Sequence, residues 1–121
     1  MVHIKQIHFE QLKEALVNSW SLQSSSKWSV DNRAKGQCGV TALIVNDRLG
    51  GEILKTKVHD SWHYYNQING QRYDFTASQF REQIDYMDIS SNRNEAFSDT
   101  NEHQYEYLKQ AVQKYYTSEI E

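Results

Sequence analysis

The dipeptide Asn69-Gly70 constrains this chain more than any other feature. It sits between two runs of strand-forming residues, and both of its members accept the positive φ that a two-residue hairpin turn demands. Residues 62–68 and 71–76 are therefore read as an antiparallel hairpin. A third run, 52–58, precedes it across a second turn signal, His59-Asp60-Ser61, and the three form an antiparallel meander. Upstream, Phe9, Leu12, Leu16 and Trp20 recur at helical spacing, which predicts a helix over about 8–20. A serine-rich loop, 21–31, carries Trp28. From Cys38 the residues Val40, Ala42, Leu43, Ile44, Val45 and Leu49 cover most of a helical circumference and stop at Gly50-Gly51, a left-handed cap. This is a second, buried helix. A short helix over 77–84 and a polar irregular stretch, 86–99, come next. Asp99 then caps a final helix over about 101–117, with Glu102 three residues on. The stripe Tyr105, Leu108, Val112 and Tyr115 on that helix asks for packing and for no cofactor. This order of elements is α+β.

Composition narrows the function. With 121 residues, 38% of them hydrophobic, the chain reads as one domain spanning 1–121 that needs no disulfide, metal or cofactor for its stability. A net charge of -3 with scattered lysines and arginines lacks the basic footprint of a nucleic-acid binder. No apolar run approaches the roughly 18 to 20 residues of a spanning helix, so no membrane partner is expected. Met1-Val2-His3-Ile4-Lys5 lacks the features of a secretory leader, and a cytoplasmic location is the expectation. His3, His8, His59 and His103 read as surface residues, none at metal-ligand spacing. Asp85, Asp88, Glu95 and Asp99 read as a solvated acidic loop.

The single cysteine is the candidate for chemistry. Cys38 lies between Gln37 and Gly39 where a polar loop becomes a buried helix, with Gly36, Lys35 and Arg33 just before it. Unpaired N–H groups and the macrodipole at a helix start lower a thiol pKa, and nearby cations help. The same N–H groups, with the amides of Asn32 or Gln37, are candidate oxyanion donors. The plain alternative is a small buried residue, since free cysteine is among the most buried types.

A thiol nucleophile needs a base, and that base an orienting partner. Across the Asn69-Gly70 turn, Ile68 falls opposite Gln71, Tyr65 opposite Asp74 and His63 opposite Thr76, which makes His63 and Asp74 diagonal neighbours. Asn66 points to the other face. Against a site stands the polarity of the two faces. Trp62, Tyr64, Ile68, Tyr73 and Phe75 form the more apolar one, so a plain reading leaves His63 and Asp74 as a surface pair. For a site to form, the Cys38 helix must cover one end of the polar face. Trp28, Trp62, Tyr64 and Tyr65 are candidate walls of a substrate groove.

The residues Ala34-Lys35-Gly36-Gln37-Cys38-Gly39-Val40-Thr41-Ala42-Leu43, Gly50-Gly51-Glu52-Ile53-Leu54, Trp62-His63-Tyr64-Tyr65-Asn66 and Tyr73-Asp74-Phe75-Thr76 resemble the YunG-like family of small bacterial proteins. The resemblance extends through Arg93 and Glu95-Ala96-Phe97 into the last helix. It implies a kind of protein and no reaction. The order of cysteine at a helix start, histidine on a strand and aspartate on the next strand is also similar to the papain-like core of transglutaminase-like and NlpC/P60-type enzymes. That similarity implies Cys38 as nucleophile, His63 as base and Asp74 as orienting acid, acting on an amide, ester or thioester of a small-molecule or peptide substrate without a cofactor. The rivals are a non-catalytic binding or regulatory domain of the same shape and a redox-responsive thiol. The enzymatic reading requires the sulfur within about 4 Å of an imidazole nitrogen.

Overall fold

The computed structural model describes residues 2–120, with side chains for residues 8–117. Its elements are helix α1 (Val2–Ser19), helix α2 (Cys38–Leu49) and strands β1 (Glu52–Val58), β2 (Ser61–Ile68) and β3 (Gln71–Tyr73). A single 3-10 turn (Ala77–Gln79), strand β4 (Ile89–Ser90), helix α3 (Arg93–Ser98) and helix α4 (Glu102–Ile120) follow. The architecture is α+β, with an antiparallel sheet in the order β3-β2-β1-β4.

Both turns of the meander behave as their residues require. Asn69 (φ 53) and Gly70 (φ 78) place Ile68 opposite Gln71, and His59 (φ 51) and Asp60 (φ 66) place Val58 opposite Ser61. Helix α2 ends at Gly50, whose N–H donates to the Asn46 carbonyl at 3.0 Å. The φ of 73 is positive as expected, but ψ is -146, outside the left-handed helical region, so this is a glycine-only turn and no ordinary left-handed cap.

One sheet face carries the main core. Ile53, Tyr64 and Ile68 pack with Leu12 and Leu16 of α1, Leu43 and Ile44 of α2, and Leu108 and Val112 of α4. Each fully buried aliphatic side chain there contributes about 1.5–3 kcal/mol. Asn66 points into this layer and donates to the Ala42 carbonyl at 3.1 Å, while Trp20 Nε1 donates to Thr41 Oγ1 at 2.9 Å. The α2 helix thus covers the Tyr64 face. The body of α2 does not lie over the polar face; only its first residue, Cys38, shares a cavity with His63 of that face.

The polar face is buried by other means. His63, Tyr65 and Thr56 lie beneath the segment 77–88, which forms only one 3-10 turn and not the expected helix over 77–84. The reason is its hydrogen bonding. Thr56 Oγ1 donates to the Asp85 carbonyl (3.2 Å) and accepts from Met87 N–H (3.0 Å), while Tyr65 Oη accepts from Asp88 N–H (2.9 Å). Sheet side chains take the place of helical partners and hold the segment extended.

The stretch read as irregular contains β4, paired with β1, and α3, whose N-cap Asn92 accepts from Glu95 N–H at 2.9 Å. Helix α4 is capped by Asn101, which accepts from Gln104 N–H at 2.8 Å, and not by Asp99. Of the acidic residues read as solvated, Asp85, Asp88 and Asp99 are exposed and Glu95 is half-buried, but two of them are also paired. Asp88 pairs with Arg72 and accepts from Tyr65, and Glu95 pairs with Lys55 at 3.0 Å. Among the described residues no helix is long and apolar enough to cross a membrane. His8, His59 and His103 are exposed, and His3 lies outside the described side chains.

Candidate functional site

The site originates where β3 stops. Asp74 was expected inside that strand, but its Oδ1 accepts from Thr76 N–H (3.2 Å) and Thr76 Oγ1 (3.3 Å), a local side-chain turn that competes with the ladder. Strand β3 therefore ends at Tyr73 and pairs only with Asn66, Gln67 and Ile68. The first half of β2, which carries His63, has no strand beside it on that side among the described residues.

The other oxygen of Asp74 faces His63. Asp74 Oδ2 lies 2.6 Å from His63 Nε2 and accepts a second hydrogen bond from Tyr86 Oη at 2.7 Å. Both members of the pair are buried, with side chains 2% (His63) and 5% (Asp74) exposed, and Phe80 packs edge-on against the imidazole. They are not the surface pair that face polarity suggested. A carboxylate on Nε2 makes that nitrogen the donor, so in the neutral ring Nδ1 is the acceptor. Nδ1 is buried and, among the described residues, has no hydrogen-bond partner.

Past the free edge of β2, the loop before α2 meets the 3-10 turn. Asn32 Nδ2 donates to the Gln79 carbonyl at 3.0 Å, and Gly36 N–H donates to Gln79 Oε1 at 3.3 Å. Between these parts lies a cavity of about 270 Å³ whose walls include Cys38, His63, Gln79, Phe80, Trp62 and Asp99. Lys27 and Lys35, both exposed, also line it. Cysteine and histidine thus share a cavity, although no hydrogen bond joins them.

The partner of the thiol is Asp99. Cys38 Sγ donates to Asp99 Oδ2 at 3.4 Å, and the same oxygen accepts from Gly39 N–H at 3.1 Å. Asp99 is exposed as a residue while its carboxylate turns inward, and burial raises that carboxyl against the lowering effect of the two donors. The thiol pKa moves opposite to expectation. Burial first, then the Asp99 charge, push it well above its ordinary value, with the Tyr64 backbone N–H opposing. A helix N-terminus is worth about 0.3–1 kcal/mol, under one pKa unit, which is too little to offset burial beside a carboxylate.

The glycine after the cysteine has a role other than substrate approach. A Cβ on Gly39 would meet Asp99 Oδ2 at 2.6 Å and the Ala96 carbonyl oxygen at 2.8 Å, so hydrogen there lets α3 and Asp99 close onto α2. Asp99 also takes the Gly39 N–H that was expected to serve an oxyanion.

The remaining sequence candidates fall as follows. Asn32 and Gln37 do not line the cavity. Their amide nitrogens donate to the Gln79 and Ser21 carbonyls, and Gln37 is fully buried. Of the four aromatic candidates only Trp62 is a cavity wall, with Lys55 Nζ 4.4 Å from its ring centroid. Tyr64 belongs to the core, Trp28 packs against it, and Tyr65 lies under 77–88 with its hydroxyl donating to Asp88 at 2.8 Å. Sequence reasoning missed Asp99, Tyr86, Thr76 and Gln79. Only Asp74-Phe75-Thr76 carried a local signal, as an aspartate two residues before a threonine. Among the described residues no group of three or more His, Cys, Asp or Glu side chains could hold a metal ion.

Comparison with known proteins places this arrangement in context. The family described as YunG protein matches residues 8–117. The chain is 52% identical over 109 residues to a Bacillus subtilis (strain 168) protein described as "Uncharacterized protein YunG", covering 90% of this chain and 95% of that protein. No solved structure matches, so the papain-like similarity has no structural neighbour behind it.

Proposed function

The chain belongs to the YunG family, and from its cavity we propose that it is a cysteine-dependent acyl hydrolase or acyltransferase acting on an amide, ester or thioester. One observation carries this reading. A buried imidazole, anchored through Nε2 by Asp74 and unpartnered at Nδ1 among the described residues, lines the same cavity as the only thiol of the chain. An unpaired buried acceptor is costly, about 1–3 kcal/mol, and such groups concentrate where something binds or reacts.

In this reading Cys38 Sγ attacks the carbonyl carbon and its proton passes to His63 Nδ1. The imidazolium returns that proton to the leaving amine, alcohol or thiol as the tetrahedral species collapses to a thioester. Water or an amine then attacks the thioester, gives its proton to His63 and releases the thiol. Asp74, fixed by Thr76 and Tyr86, holds the imidazole and stabilises its charged form. For the sulfur to attack, its hydrogen bond to Asp99 must break.

The contact with Asp99 is also what favours the rival reading, a binding domain with an inert thiol. Reaction with p-nitrophenyl acetate separates the two. Expected is one equivalent of acetyl on Cys38 by mass spectrometry, formed about 100-fold more slowly in His63→Ala. Equal acetylation rates in the two proteins would exclude the enzymatic reading.

A further inference from the structure

We infer that Gln79 is the oxyanion donor of this site, its side-chain Nε2–H meeting the carbonyl oxygen of an acyl substrate attacked by Cys38. The inference rests on the acyl-transfer reading above and concerns a residue with no sequence signal. Gln79 is held at three points. It ends the 3-10 turn, its backbone carbonyl accepts from Asn32 Nδ2 at 3.0 Å, and its Oε1 accepts from Gly36 N–H at 3.3 Å. The bond from Gly36 identifies which end of the amide is oxygen, and so makes Nε2 the free end. Nε2 is buried and, among the described residues, has no acceptor.

Two residues that line the cavity thus carry unmet needs of opposite sense, a donor at Gln79 Nε2 and an acceptor at His63 Nδ1. A thiol adding to a carbonyl satisfies both. As the S–C bond forms, the C=O π pair moves onto oxygen, which accepts from Nε2, while the thiol proton moves to Nδ1. Collapse restores the C=O bond and expels the leaving group with that proton. Three of the donors the sequence offered are engaged elsewhere: the Asn32 and Gln37 side-chain amides donate to carbonyls, and Gly39 N–H donates to Asp99. Gln79 is fixed through the atoms it does not need for this role, the preorganisation that makes an oxyanion donor effective.

Two reagents acting on one thiol test this. Acylation by p-nitrophenyl acetate passes through an oxyanion, whereas alkylation by iodoacetamide does not. Gln79→Met should slow acylation of Cys38 about 100-fold and leave its alkylation rate within about twofold of wild type. Gln79→Glu keeps an oxygen for Gly36 N–H, removes the donor, and should show the same acylation loss if the methionine variant folds poorly. Equal slowing of both reactions would make Gln79 a structural residue and overturn the inference. Acylation that depends on His63 but not on Gln79 would also overturn it and leave the thiol–imidazole reading standing. Absence of any Cys38 acylation in wild type would overturn both.

Discussion

Replacing Asp99 by asparagine removes one negative charge 3.4 Å from the Cys38 sulfur while keeping the side-chain shape and an oxygen for Gly39 N–H. The magnitude follows from Coulomb's law. A thiolate and a carboxylate at that distance repel by about 5 kcal/mol at an effective dielectric of 20 and by about 1 kcal/mol in bulk water. Asp99 is exposed as a residue but turns its carboxylate inward beside a buried sulfur, so the pair lies between these two figures. At about 1.4 kcal/mol per pKa unit, the thiol midpoint in Asp99→Asn should fall by about one to two units. The assay is the pH dependence of iodoacetamide alkylation of folded protein, with circular dichroism as the check on structure. A midpoint in Asp99→Asn within about 0.3 unit of wild type would refute the assignment of Asp99 as the partner that keeps the thiol protonated.

Two further outcomes follow from the same geometry. The folded-state pKa of Cys38 is raised, so its contribution to stability is fully present below the unfolded thiol value of about 8.5 and is lost as pH rises above it. Urea unfolding of wild type between about pH 8.5 and 9.5 should lose about 1 kcal/mol that Cys38→Ala does not lose, and parallel pH curves for the two proteins would contradict this. Gly39→Ala must push back the Ala96 carbonyl oxygen, which is backbone, as well as the Asp99 side chain. It should cost about 1–3 kcal/mol in unfolding free energy and, by parting Asp99 from the sulfur, lower the alkylation midpoint; an unchanged midpoint would show that α3 does not press on the cysteine.

Much of the scaffold was legible because it depends on local chemistry. Asn69-Gly70 and His59-Asp60 set the β1–β2–β3 meander, since a short turn of positive-φ residues leaves one register for the strands beside it. The stripes Leu12-Leu16-Trp20 and Tyr105-Leu108-Val112 set the core faces of α1 and α4 through helical periodicity. The same register, extended through Asp74, put that residue near His63; the 2.6 Å contact is made, though by an Asp74 that lies beyond the end of β3. What surrounds that pair was decided by contacts between residues far apart in the chain. Asp74 satisfied Thr76 and so ended β3 early. Thr56 and Tyr65 held 77–88 extended over the polar face. Asp99 reached Cys38 from the far side of α3, and Gln79 reached Gly36. Periodicity and turn chemistry depend on neighbours within a few residues. A thiol pKa, a buried amide and the burial of a polar face depend on which distant groups desolvate them, and that is a property of packing alone.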